Sequence, residues 1–62
     1  MPARHYRFYF MRSGRTVAAE IAECNGDGGA IEKAKELLST SAFDTMEVWQ
    51  DTRKVGTVER RI

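Results

Sequence analysis

The chain has 62 residues, 31% of them charged, with ten Lys and Arg against nine Asp and Glu and a formal net charge of +1. That length excludes a second domain, and a chain so short buries only about 60% of the surface its unfolded form exposes, so its core is small and its stability marginal. The single cysteine, Cys24, excludes an internal disulfide, and Cys24 together with the single histidine, His5, falls short of the four ligands of a structural zinc.

Cores of this size rarely supply more than about 3–5 kcal/mol. With neither disulfide nor metal, oligomerisation is the remaining source of stability, and a homodimer is expected. No apolar run in MPARHYRFYF matches a signal peptide, and none anywhere approaches the roughly 20 residues of a membrane span. The expectation is a cytoplasmic protein with no membrane association and no cofactor, in which Cys24 is a reduced, half-buried thiol.

The first element is announced by His5-Tyr6-Arg7-Phe8-Tyr9-Phe10-Met11, which puts four Tyr and Phe rings into seven residues. Strand periodicity sends Tyr6, Phe8 and Phe10 to the core and His5, Arg7, Tyr9 and Met11 to the opposite face. Ser13-Gly14 supplies turn chemistry, so Thr16 to Glu23 forms the second arm of a hairpin, with Val17, Ala19 and Ile21 predicted inward and Ala18 and Glu20 outward. Asn25-Gly26-Asp27-Gly28-Gly29 breaks the alternation. After it the period lengthens, and Ala30, Ile31, Ala34, Leu37 and Leu38 share one helical stripe. Asp27 is the predicted N-cap of that helix. Glu32, Lys33, Lys35 and Glu36 make its wet face, and the hydroxyl residues Ser39 to Ser41 end it.

Thr45 to Gln50 is predicted as a third strand, with Met46 and Val48 inward and Glu47 and Trp49 outward. A polar turn at residues 51–54 leads to a fourth strand, Val55 to Arg60. Val55 and Val58 have opposite parity there, so burying both needs a bulge near Gly56. The element order is ββαββ. Placing the two most apolar strands in the centre gives an α+β fold: a four-stranded antiparallel sheet of order 2-1-3-4 with one helix packed on one face. Residues 1–62 form a single domain, with 1–4 and 61–62 expected to be disordered.

Charge is uneven along this topology. Arg4, Arg7, Arg12 and Arg15 precede any acid, the middle of the chain is acidic, and Arg53, Lys54, Arg60 and Arg61 sit near its end. The hairpin geometry collects these bases at the two ends of the sheet rather than on one face.

Tyr6-Arg7-Phe8-Tyr9-Phe10, Val17-Ala18-Ala19-Glu20, Glu23-Cys24, Ala30-Ile31 with Ala34 and Leu37-Leu38, and Glu47-Val48-Trp49-Gln50 together span nearly the whole chain. This pattern resembles a family of small uncharacterised proteins of about 60 residues, widespread in rhizobia and related alphaproteobacteria. The chain departs from it in the glycine-rich loop at residues 25–29 and in its charged end, Glu59-Arg60-Arg61-Ile62. The resemblance implies a fold and no activity.

Function must therefore be weighed on the residues. Catalysis needs a nucleophile or acid–base pair in a concave site. His5 is at a strand end, Ser39, Thr40 and Ser41 at a helix end, and the three loop glycines lack the lysine of a phosphate loop; no enzyme and no catalytic residue is expected. Nucleic acid is the sharper alternative, because Arg7, Tyr9 and Trp49 share the outer face of adjacent strands and resemble the stacking platform of single-stranded RNA binders. Against it stand Glu20 and Glu47, expected on the same face, and the division of the bases between two ends. Self-association fits better. An outer face with Tyr9, Met11, Ala18 and Trp49, and an Arg7–Glu47 pair to fix its register, is more apolar than a small monomer leaves exposed. The expected interface residues are Arg7, Tyr9, Met11, Glu47 and Trp49.

Overall fold

The computed structural model describes residues 4–60. Its elements are β1 (Arg4–Arg12), β2 (Arg15–Cys24), α1 (Asp27–Ser39), β3 (Thr45–Gln50) and β4 (Arg53–Glu59). The strands form one antiparallel sheet of order β2-β1-β3-β4, as the apolarity of β1 and β3 predicts, and α1 packs on one face. Arg4, expected in a disordered end, instead opens β1 opposite Cys24. The rest of that expectation, residues 1–3 and 61–62, lies outside the described residues.

Alternation on the central strands produces the core. Phe8 stands opposite Val48 and Phe10 opposite Met46, and these four side chains, with Tyr6, meet Ala30, Ala34 and Leu38 of α1. Phe8, Met46 and Val48 are completely buried. Phe43 closes one end of this layer, its ring 5.2 Å from that of Phe10. The helical stripe is as predicted, with Ile31 and Leu37 half-buried beside it.

The parity of β2 is the reverse of the prediction. Ser13 and Gly14 both take positive φ, 53° and 78°, as a two-residue primed turn requires, so Arg12 faces Arg15 and Met11 faces Thr16. Without interruption Phe10 would then face Val17. Instead a bulge leaves Val17 unpaired and sets Phe10 opposite Ala18, Phe8 opposite Glu20 and Tyr6 opposite Ala22. A slip of one residue sends every later side chain to the other face. Ala18, Glu20, Ala22 and Cys24 thus join the helix side. Val17 and Ile21, expected inward, are 58% and 61% exposed. The slip has a packing reason: it brings the small Ala22 and Cys24, in place of Ile21 and Glu23, to the side where α1 begins. Cys24 is buried there, with its Cβ 4.0 Å from where a Gly29 Cβ would stand. Burial pushes the Cys24 thiol above its ordinary pKa, and the charge of Lys33 opposes this in part.

Asp27 is not the N-cap of α1. Gly26 takes that place with φ 144°, a conformation suited to glycine, and no side chain caps the first amides. Asp27 is the first helical residue, and its carboxylate accepts a 2.9 Å hydrogen bond from the Tyr6 hydroxyl and a two-pronged approach from Arg53 at 3.0 and 2.9 Å. The helix start is thereby tied to β1 and to the β3–β4 hairpin. Arg53, then Tyr6, hold the Asp27 carboxyl below the usual carboxylate range. Burial, then the bond to Asp27, raises the Tyr6 hydroxyl above its ordinary value.

At the other end of α1, the hydroxyls of Ser39, Thr40 and Ser41 donate back to the carbonyls of Glu36, Leu37 and Leu38. Arg60 completes that end. Its Nε donates to the Phe43 carbonyl at 3.0 Å and its Nη2 to the carbonyls of Leu38 and Ser41, which sets a cation at the negative end of the helix dipole. On β4 the predicted bulge is present: Val48 faces Gly56 and Trp49 faces Lys54, Val55 is left over, and Val55 and Val58 both pack on the core. The bare Gly56 admits the helix closely, since a Cβ there would lie 3.2 Å from Ile31 Cδ1.

Candidate interface on the open sheet face

Directly opposed residues of an antiparallel pair share a face, so the register assigns the side of the sheet away from α1 row by row. One row runs Ile21, Arg7, Trp49, Lys54; the next runs Ala19, Tyr9, Glu47, Thr57; a third runs Thr16, Met11, Thr45, Glu59. All five residues singled out from the sequence, Arg7, Tyr9, Met11, Glu47 and Trp49, are therefore brought together on adjacent central strands. Tyr9, Met11, Glu47 and Trp49 are half-buried by their neighbours, and Arg7 is exposed.

Two expected members are absent and two unexpected ones replace them. Ala18 and Glu20 lie on the helix side, opposite Phe10 and Phe8. Ala19 and Ile21 take up the open face, and Ile21 becomes the most exposed large apolar side chain of the described residues. The signal that would have found them is the register slip at Val17, which no local periodicity reveals.

The predicted Arg7–Glu47 pair is not formed. Arg7 stands opposite Trp49, one row away, and Glu47 is taken by two other partners: it accepts the Trp49 Nε1–H at 3.1 Å and meets Lys54 Nζ at 3.5 Å. The indole is thus pinned by its polar edge. The neighbouring Tyr9 hydroxyl, and to a smaller extent the charge of Asp51, raises the Arg7 pKa above its ordinary value. Tyr9, Glu47 and Trp49, with Thr16, Asp51 and Thr52, line a shallow depression of about 490 Å³.

The face carries no cationic excess, with Arg7 and Lys54 set against Glu23, Glu47 and Glu59. His5 and Glu23 meet at 3.2 Å across β1 and β2, Lys54 offsets Glu47, and Arg7 and Glu59 stand in different rows. Three of the other bases are engaged elsewhere. Arg53 is held by Asp27, Arg60 by the helix carbonyls, and Arg12 lies 5.4 Å from the centre of the Phe43 ring. Among the described residues no group of His, Cys, Asp and Glu is arranged to hold a metal ion, and no helix is long and apolar enough to cross a membrane. No protein family, curated protein or solved structure matches the chain.

Proposed function

We propose that this protein is a small, non-enzymatic interaction module of the cytoplasm that forms a homodimer through its open sheet face. The observation that carries this reading is the continuous stretch of Ile21, Ala19, Tyr9, Met11 and Trp49 across β2, β1 and β3, over which the described residues place no second layer. The resemblance to short rhizobial-type proteins carries no activity and adds nothing to it.

The edges of the sheet favour association by the face. An open edge is a template for strand addition, and proteins blunt it with bulges and with charges turned inward. Here β2 has the Val17 bulge and Glu20 on the helix side, and β4 has the Val55 bulge. With strands about 4.8 Å apart and about 3.3 Å per residue, the open face offers on the order of 500 Å² of plan area. That is somewhat less than the roughly 800 Å² per partner of a standard interface, the size range of weak and transient associations.

Sedimentation equilibrium from low micromolar to hundreds of micromolar protein tests the reading. The expected outcome is a reversible monomer–dimer curve, with Trp49 emission moving to the red on dilution and Trp49→Ser giving a folded monomer. A monomeric mass throughout, with concentration-independent emission, refutes it. Single-stranded nucleic acid is the second reading, favoured by Arg7 standing directly opposite Trp49 with Tyr9 beside them. The absence of a cationic excess on the face disfavours a polyanion. Titration of a labelled mixed-sequence oligonucleotide at physiological salt is expected to show no appreciable binding. Micromolar binding that weakens steeply with salt and is lost in Trp49→Ala would reverse the order of the two readings.

A further inference from the structure

The charges on the open face restrict how a second copy can sit on it, and this step rests on the dimer reading above. Two sheets packed face to face by a two-fold rotation have the axis in the plane between them, and in the aligned class of sheet packing that axis runs along or across the strands. An axis running along β1 sets Arg7 on Arg7 of the other copy. One running along β3 sets Glu47 on Glu47. Like charges in contact across a closing interface are strongly disfavoured, so neither placement is stable. An axis across the strands meets the same obstacle when it passes through the Arg7–Trp49 row or through the Tyr9–Glu47 row.

Among axes centred on β1 and β3 and on the Arg7–Trp49 and Tyr9–Glu47 rows, which overlap the two sheets most fully, two placements remain. An axis across the strands and between those rows lays the Trp49 ring over the Glu47 carboxylate, which desolvates a charge against the negative face of an aromatic ring. An axis parallel to the strands and between β1 and β3 makes a different set of contacts. It lays Arg7 over Trp49, Tyr9 over Glu47, Met11 over Thr45, Ile21 over the aliphatic stem of Lys54, and Ala19 over Thr57, each pair made twice. The guanidinium meets the face of an indole that Glu47 already pins by its Nε1–H. The phenol can donate to a carboxylate whose ionised oxygens retain lone pairs beyond those used by Trp49 and Lys54.

We propose that two copies of this chain pair about a two-fold axis parallel to the strands and lying between β1 and β3, with Arg7 of each copy stacked on Trp49 of the other. In this arrangement Arg7 and Trp49 are mutual anchors, and β2 of one copy lies over β4 of the other.

Cross-linking distinguishes the two placements, because they send the edge strands to different partners. Ala19→Cys and Thr57→Cys are made separately, each with Cys24→Ala, and both positions are exposed on edge strands. In the proposed dimer, Ala19 of one copy faces Thr57 of the other across a sheet separation of about 10 Å, while the two Ala19 positions are further displaced by about 14 Å along the sheet. A bismaleimide spanning about 10 Å should therefore join an equimolar mixture of the two variants and leave Ala19→Cys alone largely unlinked. Arg7→Ala should raise the dissociation constant at least tenfold, with an unchanged far-ultraviolet spectrum.

The outcomes separate cleanly. A monomeric mass for the unmodified protein at hundreds of micromolar overturns the dimer and the axis together. A dimeric mass with cross-linking of Ala19→Cys to itself, or with no link in the mixture, overturns the axis and leaves the dimer standing. An undiminished dimer in folded Arg7→Ala removes Arg7 as an anchor.

Discussion

The two faces of the sheet are made by the same strands, often by adjacent residues, and they have opposite fates. Phe8 is fully buried under α1, while its neighbours Arg7 and Tyr9 look the other way with no layer above them. The covered face spends its aromatic side chains on folding: Tyr6, Phe8 and Phe10 meet helix residues as small as Ala30 and Ala34, so α1 lies close to the sheet. The open face keeps Trp49 and Tyr9 in reserve, and Glu47 holds the indole in position by its Nε1–H. A single-layer sheet with one helix has enough chain to cover one side only, and the difference between its sides separates what stabilises the monomer from what is available to a partner.

The comparison is broken most severely on the covered side. Phe8→Ala opens a cavity beneath the helix, and the expected loss is about 3–5 kcal/mol, comparable with the whole stability of a domain this small. Thermal or urea unfolding should show a chain largely unfolded at room temperature. A cooperative transition at the wild-type midpoint would mean that Phe8 does not sit in the core.

A smaller effect is expected where the covered face is fastened at its edge. Asp27→Asn leaves the shape of the clamp and removes the charge that Arg53 and Tyr6 hold, so the melting temperature should fall, by less than for Phe8→Ala. The pH dependence carries the sign. Because the folded-state pKa of Asp27 is depressed, its contribution is present above the unfolded carboxylate value of about 3.9 and is lost as pH drops through the lower folded value. The gap between wild type and Asp27→Asn should therefore be constant near neutrality and close below about pH 4. A gap that widened with acid would assign the stabilisation to another group.

The smallest change in monomer stability is expected on the open side. Ile21→Thr keeps a β-branched side chain at an exposed position, and unfolding at low protein concentration should shift by no more than about 0.5 kcal/mol. Sedimentation at high concentration should show the same variant associating more weakly than wild type. If it destabilises the monomer and leaves association intact, the division between the faces is wrong at β2.

Most of the fold was legible because one set of alternating positions on β1 and β3 is wholly apolar, Tyr6, Phe8 and Phe10 and then Met46 and Val48, while the other set carries Arg7 and Glu47, and that pattern permits one parity. The same pattern placed the proposed interface residues: Arg7, Tyr9, Met11, Glu47 and Trp49 lie on these two strands, and all five share the open face. On β2 the pattern misleads. Val17, Ala19 and Ile21 are the more apolar set, and an uninterrupted hairpin from Ser13-Gly14 would turn them inward; the Val17 bulge reverses this through pairing with β1, which is a non-local constraint. The same holds for the charged side chains. Asp27 is well placed by sequence to cap a helix, but Arg53, 26 residues away, claims its carboxylate. Arg60 reads as part of a basic end, and its role at the carbonyls of Leu38 and Ser41 exists only once β4 lies beside the end of α1.

Cys24 gives the molecule an internal clock. Its thiol is buried where β2 meets the first turn of α1, and burial keeps it protonated, so an alkylating reagent acts on it slowly while that junction is closed. The labelling rate at neutral pH then measures how often the start of the helix lifts from the edge strand, in the way that amide exchange reports local opening. Asp27 and its partners Tyr6 and Arg53 fasten that same junction, and removing the Asp27 charge should quicken the clock without touching the thiol itself.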